Sequence, residues 1–404
     1  MVKLNNCPAV YRHYNFKLSD KVIFILLAFT TITTSCRQEV YKNVVGDASK
    51  TSNVQVGKAE IKYAKGFSIF YYKGFKLINI YNRVNDGVDT VKYLLIKKGQ
   101  DIPSGFGNVQ VIETPLKSMI GLSSMHIAVV DFAESDNILK GLGNLKYVSS
   151  PVVRNNIKAG KIKEVGLDGN LNNEAILDMH PGLVMAMGNQ NAKGTRYKIL
   201  TDAGIPVMQN SEFLESTPLG RAEWVKVMGA LVDKEDLVNK KFSTLELEYN
   251  KLVQLAKNVT SKPNVITGMP FKGTWFVPEG DSYLTHFIED AGGANKWAGT
   301  HGIGSLPLNF EAVAPEALHA TYWINIGYVD SKKDITAQDT RFADFNPFKN
   351  GNLFNNNKLT NDLGSNDYWE SGAVNPQVVL ADLIKILHPE LLPNHQLVYY
   401  KQLK

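Results

Sequence analysis

A stretch of 25 residues in the middle of the chain, Lys234 to Asn258, contains neither glycine nor proline, the two residues that most often end a helix. Within it Val238, Phe242, Leu245, Tyr249, Leu252 and Ala256 recur at spacings of four and three. That recurrence places them in one stripe along an α-helix. At 1.5 Å per residue the helix is roughly 37 Å long, about the diameter of a domain. Ser261-Lys262-Pro263 ends it, and a β-like run starts at Val265. Short apolar runs alternating with helical patterns lie on both sides. A core helix of one body would satisfy the stripe, but the flanking patterns favour a rod that carries the chain from one lobe to a second.

The flanking patterns supply the lobes. Strands are expected at 119–122, 183–187, 207–208, 265–267 and 321–326, and helices at 127–140, 172–178, 195–202 and 282–291. Such alternation implies parallel sheets with helices on both faces, which bind ligands at the carboxyl ends of their strands. Ahead of them, FSIFYY, KLINIYNRV and TVKYLLIKK, punctuated by Lys73-Gly74 and Asn85-Asp86-Gly87, predict a small antiparallel β extension packed on the first lobe. The expected divisions are 61–114 for the extension, 115–233 for the N-terminal lobe, 234–260 for the helix and 261–404 for the C-terminal lobe. A phrase repeats 137 residues apart: Glu174-Ala175-Ile176 and Glu311-Ala312-Val313 each open a short helix leading to a strand.

The chain has 404 residues, 44 basic and 39 acidic, a net charge of +5. Residues 1–35 hold Lys3, Arg12, Lys17 and Lys21 against Asp20, so +3 of that charge lies there. No basic run in the remainder points to nucleic acid. Lys17 and Lys21 precede the apolar run Val22–Phe29, which is far shorter than the roughly 20 residues a membrane span needs. Charge, a short apolar run and the small residues Thr33-Thr34-Ser35 before Cys36 resemble a lipoprotein signal, in which Cys36 would be acylated and become the mature N-terminus. Residues 1–35 are then a signal peptide, and the polar stretch 36–60 is a tether. The expected location is the cell envelope, with the protein exported and lipid-anchored to a bacterial membrane facing the periplasm or exterior. Cys7 and Cys36 are the two cysteines, which excludes a disulfide scaffold or a cysteine-based metal site in the body of the protein.

Several phrases in order carry a resemblance: MIGLSS, HIAVVDFAESDNILKGLG, LKYVSSP, EVGLDGNLNNEAILDMHPGLVMAMG and YKILTDAGIPVM, then the long helix. GDSYLTHFIEDAGGANKW, LPLNFEAVAPEALHATYWIN and VVLADLIKILHPELL follow it. From about Pro115 to Leu392 the chain resembles the substrate-binding proteins of ABC importers for cobalamin, ferric siderophores and haem. The resemblance implies an α/β fold of two Rossmann-like lobes with parallel central sheets joined by a single long α-helix. It implies a monomer that performs no covalent chemistry, holds no cofactor of its own, and carries a metal chelate to an ABC permease dimer. Small lobe motions are expected from the single stiff helix.

By the same resemblance Glu174 and Glu311, one on top of each lobe, dock into basic pockets of the permease. The ligand would meet Ser124, Met125, Tyr147, Ser149, Asp168, Met187, Asn189, Trp275, Phe276, Ser305, Leu306, Trp369 and Glu370. Adjacent Trp275 and Phe276 suit a flat, partly apolar ligand. The family's usual cleft arginines find no match, which argues against a highly anionic siderophore.

Three other classes compete. GDSYL at Gly280–Leu284 is similar to the signature of GDSL esterases, with Ser282 as nucleophile, but Ser282 sits in the second half of the chain and fits a helix N-cap. His126, His180, His286, His301 and His319 would be the ligands of a free zinc or manganese binder, yet they lack HxH or HxxxH spacing. A lectin or adhesion module would be a β-sandwich, which the long helix argues against.

Overall fold

The structure, a computed structural model, describes residues 53–84, 87–167, 169–188 and 196–404. The expected signal peptide, Cys36 and most of the expected tether lie outside the described residues.

The chain enters through a five-stranded sheet, β1 (Gln55–Lys58), β2 (Phe67–Tyr72), β3 (Phe75–Val84), β4 (Gly87–Lys97) and β5 (Gln110–Thr114), in that spatial order. The first four strands pair antiparallel. The fifth departs from the expected antiparallel pattern: β5 runs parallel to β4 and feeds the chain into the next lobe. Side chains alternate between faces as a pleated strand requires. Phe67, Ile69, Ile78, Ile80, Tyr93, Leu95 and Ile112 join the main core, whereas Phe75, Leu94 and Ile96 form a small cluster on the other face. Two buried carboxylates fasten the segment before β2. Glu223 accepts the backbone N–H groups of Lys62, Tyr63 and Ala64, and Glu215 accepts those of Lys65 and Gly66. Buried carboxylates with this many donors are satisfied without a full complement of cations.

The N-terminal lobe is an all-parallel sheet of β6 (Met119–Gly121), β7 (Leu139–Leu142), β8 (Lys163–Glu164), β9 (Val184–Met187) and β10 (Val207–Asn210), ordered β10-β9-β6-β7-β8. The chain winds outward from β6 to β8, then crosses back to build β9 and β10 on the other side. That reversal puts a topological switch point at the carboxyl end of β6. The helix expected at 127–140 is shorter than its pattern suggested. It runs Ser124–Phe132 and stops where Glu134 takes a left-handed φ of 50°. Beyond it Ile138 closes a short 3-10 turn and Leu139 opens β7; short apolar runs do not distinguish strand from helix.

The connecting helix spans Glu235–Lys257 and buries Val238, Phe242, Leu245, Tyr249 and Ala256. These side chains pack with Val379, Leu380 and Leu383 of the helix Pro376–Leu387, so one apolar core continues behind both lobes.

In the C-terminal lobe, β11 (Val265–Thr267) is followed by an antiparallel pair, β12 (Trp275–Pro278) and β13 (Ser305–Leu308), and then by β14 (Tyr322–Ile324), β15 (Leu353–Asn355) and β16 (Lys401–Gln402). The main sheet is ordered β11-β14-β15-β16, parallel except for β16. Its own core gathers Trp275, Trp323, Phe342 and Phe345. Among the described residues no helix is long and apolar enough to cross a membrane.

Candidate functional site

Between the lobes lies a cleft of about 1480 Å³. Its walls are the carboxyl ends of both parallel sheets. After β6 come Ser123 and Ser124, after β7 Gly143, Asn144 and Tyr147, and after β8 Leu167. Opposite them stand Thr267 and Gly268 after β11, Asn325 and Gly327 after β14, and Asn356 to Lys358 after β15. This is where doubly wound sheets expose backbone ends that cannot be covered by their own helices. Asn325 turns the chain with a left-handed φ of 49° and Gly327 with a φ of 124°. The second value is open only to glycine. Beyond them Tyr328 stands fully exposed at the rim.

Five of the residues expected on the ligand line the cleft: Ser124, Tyr147, Phe276, Ser305 and Trp369. Tyr147, Phe276 and Trp369 are each about half exposed, a large solvent exposure for aromatics that is consistent with surfaces awaiting a partner. Trp275, expected beside Phe276, is elsewhere. Residues 275–278 form a strand, and neighbours on a strand point to opposite faces. Phe276 therefore faces the cleft, while Trp275 is buried, donates its indole N–H to the Thr267 carbonyl at 2.8 Å and packs against Trp323, Phe342 and Phe345. The same alternation on β13 turns Ser305 outward and Leu306 onto the lobe's core.

Met125 is buried in the core beneath the helix start. Met187 ends β9 away from the cleft lining. Ser149 and Glu370 bond to each other across the lobes and do not line the cleft. Asp168 and Asn189 lie outside the described residues.

The residue that sequence reasoning missed is Arg221. It sits on the short helix Pro218–Ala222 and reaches the cleft floor. Its guanidinium lies 3.8 Å from the centre of the Tyr283 ring and donates to the Phe213 carbonyl at 3.0 Å. Lys358 and Lys401 add two cations to the C-terminal wall, and among the described residues Asp330 is the sole carboxylate in the lining. Asp330 is already paired with Lys401 at 2.6 Å. The described lining therefore carries two cations more than anions, an excess that raises the local concentration of anionic ligands. Below the floor Glu212 is buried, and burial pushes its carboxyl up to about 7, with Arg221 working against the rise.

Ser282 touches the cleft but serves as a cap. Its hydroxyl accepts from Thr285 N at 3.3 Å and donates to Thr285 Oγ1 at 3.2 Å. The carboxylate of Asp382, in the C-terminal region where an esterase acid would be sought, is occupied by His395 and by the backbone N–H groups of Val398, Tyr399 and Tyr400. The histidines are dispersed. His126 is buried and accepts from Leu122 N at 3.1 Å; its burial holds it neutral, with its pKa lowered to about 3. His180 takes the left-handed C-cap position of its helix, and His286 meets the carbonyl of Ser282. His301 is exposed beside Asp281, and His319 is exposed after the helix Phe310–Ala317. Among the described residues no group of three or more His, Cys, Asp or Glu side chains is placed to hold a metal ion.

Glu174 and Glu311 occupy matching places. Each is exposed in the first turn of a helix, two residues after an asparagine N-cap.

Two lobes with parallel sheets, one connecting helix and an open cleft between strand ends define a binding protein. The profile of the periplasmic binding protein family matches residues 127–354, more than half of the chain. The chain belongs to that family and is a substrate-binding protein of the ABC-importer type, not an enzyme. An uncharacterised lipoprotein of Methanocaldococcus jannaschii is 27% identical over 391 residues, covering 91% of this chain and 92% of the relative. Among solved structures, a possible iron-binding periplasmic solute-binding protein from Staphylococcus epidermidis superposes with a TM-score of 0.53 at 16% identity, covering 68% of this chain and all of the other. The periplasmic haem-binding protein of Vibrio cholerae gives a TM-score of 0.51 at 15% identity over 65% of this chain and 98% of its own.

Proposed function

We propose that this protein captures a metal chelate bearing negative charge, of the haem or ferric-siderophore kind, and presents it to an ABC permease. The observation that carries the reading is the make-up of the cleft. Half-exposed Tyr147, Phe276 and Trp369 offer flat apolar faces from both lobes, and Arg221 and Lys358 offer positive charge that no carboxylate among the described residues pairs. Aromatic faces take up planar rings, and cations select carboxylate or catecholate oxygens. The volume of about 1480 Å³ suits an intact chelate, whereas a bare ion needs only a few ligating atoms within roughly 2.6 Å. Two of the solved relatives with this fold are described as haem- or iron-binding. The lack of the family's usual cleft arginines argued against a highly anionic siderophore, and Arg221 and Lys358 supply positive charge from other positions.

Delivery follows from Glu174 and Glu311, whose exposed carboxylates stand rigidly at helix starts where a basic pocket can pair them. Cys36, once acylated, holds the protein at the membrane through its tether. Titration of the purified exported chain with haemin, a ferric tris-catecholate and cyanocobalamin tests the cargo. One of the two anionic chelates is expected to bind with submicromolar affinity and to outcompete cyanocobalamin. The reading fails if neither binds while zinc or manganese ions do, or if an ester is hydrolysed and Ser282→Ala abolishes that activity.

A further inference from the structure

Residues 356–370 leave β15 in the C-terminal lobe and cross the cleft to the N-terminal lobe. Asn357, Thr360, Leu363, Ser365, Asn366 and Trp369 line the cleft along the way. At the far side the segment is fastened repeatedly to one short stretch of the other lobe. Asn361 Nδ2 donates to the Val148 carbonyl at 2.9 Å, and the hydroxyls of Ser365 and Ser149 meet at 2.9 Å. Ser124 Oγ donates to the Trp369 carbonyl at 3.2 Å. The strongest fastening is the carboxylate of Glu370. Its Oε2 accepts from Ser149 N at 2.8 Å and its Oε1 from Ser150 N at 2.6 Å. Ser150 is the N-cap of the helix Pro151–Lys158, so this carboxylate closes the positive end of a helix that belongs to the opposite lobe. Glu370 itself is buried, while its neighbour Trp369 is 55% exposed in the cleft.

We propose that residues 356–370 form a strap across the cleft whose seat is the Glu370 carboxylate, and that Glu370 is the positioning residue that holds Trp369 against the cargo. The peptide bond between Trp369 and Glu370 makes the coupling mechanical. When Glu370 lies on Ser149 and Ser150, the indole is held in the cleft; when it lifts, the indole and the strap's asparagines leave with it. The effect on cargo rests on the binding role given to the cleft above. The seating of the strap does not.

The surroundings of Glu370 give the strap a pH signature. Among the described residues no cation forms an ion pair with it. Asp367 on its own segment and Asp131 on the helix Ser124–Phe132 are the charged groups that raise it, and Ser149 and Ser150, just ahead of the helix Pro151–Lys158, contribute backbone N–H groups. Burial and these two carboxylates push its carboxyl up to about 7, against the pull of the two N–H bonds. A lifted strap returns the carboxyl to water and to its ordinary value of 4.5. The seated form therefore binds the proton more tightly, and acid favours seating. By linkage, the opening equilibrium should be about tenfold larger at pH 8 than at pH 6.

Amide hydrogen exchange across 146–158 in the ligand-free protein, corrected for intrinsic rates, measures that opening. Wild type should open about tenfold more at pH 8 than at pH 6. Glu370→Gln, a neutral isostere, should lose the difference, and Glu370→Ala should exchange rapidly at both pH values with an unchanged circular dichroism spectrum. Protection at Ser149 and Ser150 that survives Glu370→Ala, or a full pH difference retained in Glu370→Gln, overturns the proposal. With haemin as probe, Glu370→Ala should speed dissociation at least fivefold, and adding Trp369→Ala should cost little more; additive effects would refute the coupling. If haemin binds no variant, the cargo reading fails while the exchange data still decide the strap.

Discussion

The guanidinium of Arg221 lies over the ring of Tyr283, 3.8 Å from its centre. Arg221 comes from the short helix before the connecting helix, and Tyr283 opens a helix of the C-terminal lobe, so the stack joins the lobes at the floor of the cleft. A cation held this way is fixed in place before any ligand arrives. It keeps donors free, because among the described residues only the Phe213 carbonyl accepts a hydrogen bond from it.

Arg221→Gln should therefore weaken haemin binding about 10- to 100-fold, the loss expected when one charge-assisted hydrogen bond disappears. Raising the salt concentration should narrow the gap between wild type and variant, because part of the attraction is long-ranged. Tyr283→Leu should weaken binding less, since it loosens the guanidinium without removing it. Fluorescence titration at two ionic strengths reads all three, and equal affinities for wild type and Arg221→Gln would remove Arg221 from the site.

The adjacent aromatics of β12 separate folding from binding. Trp275→Ala empties the centre of the C-terminal core and should cost about 3–5 kcal/mol in urea unfolding. Phe276→Ala and Trp369→Ala remove rings that are 51% and 55% exposed, so they should leave the unfolding midpoint almost unchanged. Both should weaken cargo binding. A large stability loss for Phe276→Ala would place that ring in the core and not on the ligand.

These residues also show which parts of the molecule are legible in the sequence. The connecting helix was, because Val238, Phe242, Leu245, Tyr249 and Ala256 keep a helical period over about five turns without a breaker, and that burial is what the structure shows. The ends of the parallel strands were legible too, since their position follows from the alternation of elements. Side-chain direction was not. Trp275 and Phe276 read alike as loop aromatics, and only the pairing of β12 with β13 imposes the pleat that separates them. Arg221 was hidden for a different reason: a charged residue on a short helix reads as solvated surface, and its neighbour Tyr283 lies 62 positions later. Glu370 bonds to residues 220 and 221 positions away, a separation at which local pattern carries no information.

Two buried groups set opposing pH dependences of stability. Glu212, with its carboxyl raised from 4.5 to about 7, binds more protons folded than unfolded between those values, so its contribution is full below 4.5 and is lost as pH rises towards 7. His126, lowered from 6.5 to about 3, binds fewer protons folded, so its contribution is full above 6.5 and is lost as pH falls towards 3. From 4.5 to 6.5 the two slopes oppose each other. Glu212→Gln removes one of them. Relative to wild type it should gain stability as pH rises from 4.5 to 7, at up to about 1.4 kcal/mol per pH unit, and the gain should level off above 7. Urea melts of both proteins at half-unit steps give the difference directly, and a flat difference would mean that Glu212 titrates normally.

The proposed docking on the permease is separable from cargo binding by location. Asn172 Oδ1 accepts from Ala175 N at 3.0 Å and Asn309 Oδ1 accepts from Ala312 N at 2.9 Å, so the two lobes present Glu174 and Glu311 from identically capped turns. Neither carboxylate lines the cleft. Glu311 has a loose neighbour in Arg341, 3.9 Å away, but Arg341 is committed to Asp339 at 2.6 Å and leaves Glu311 available. Reversing both charges, Glu174→Lys with Glu311→Lys, should keep the cargo dissociation constant within about twofold while lowering permease-dependent uptake at least tenfold, because like charges would face each other at the proposed basic pockets. Each single reversal should fall between wild type and the pair. Uptake into proteoliposomes, measured beside equilibrium binding on the same preparations, checks both halves, and undiminished uptake by the double variant would show that the permease is met elsewhere on the surface.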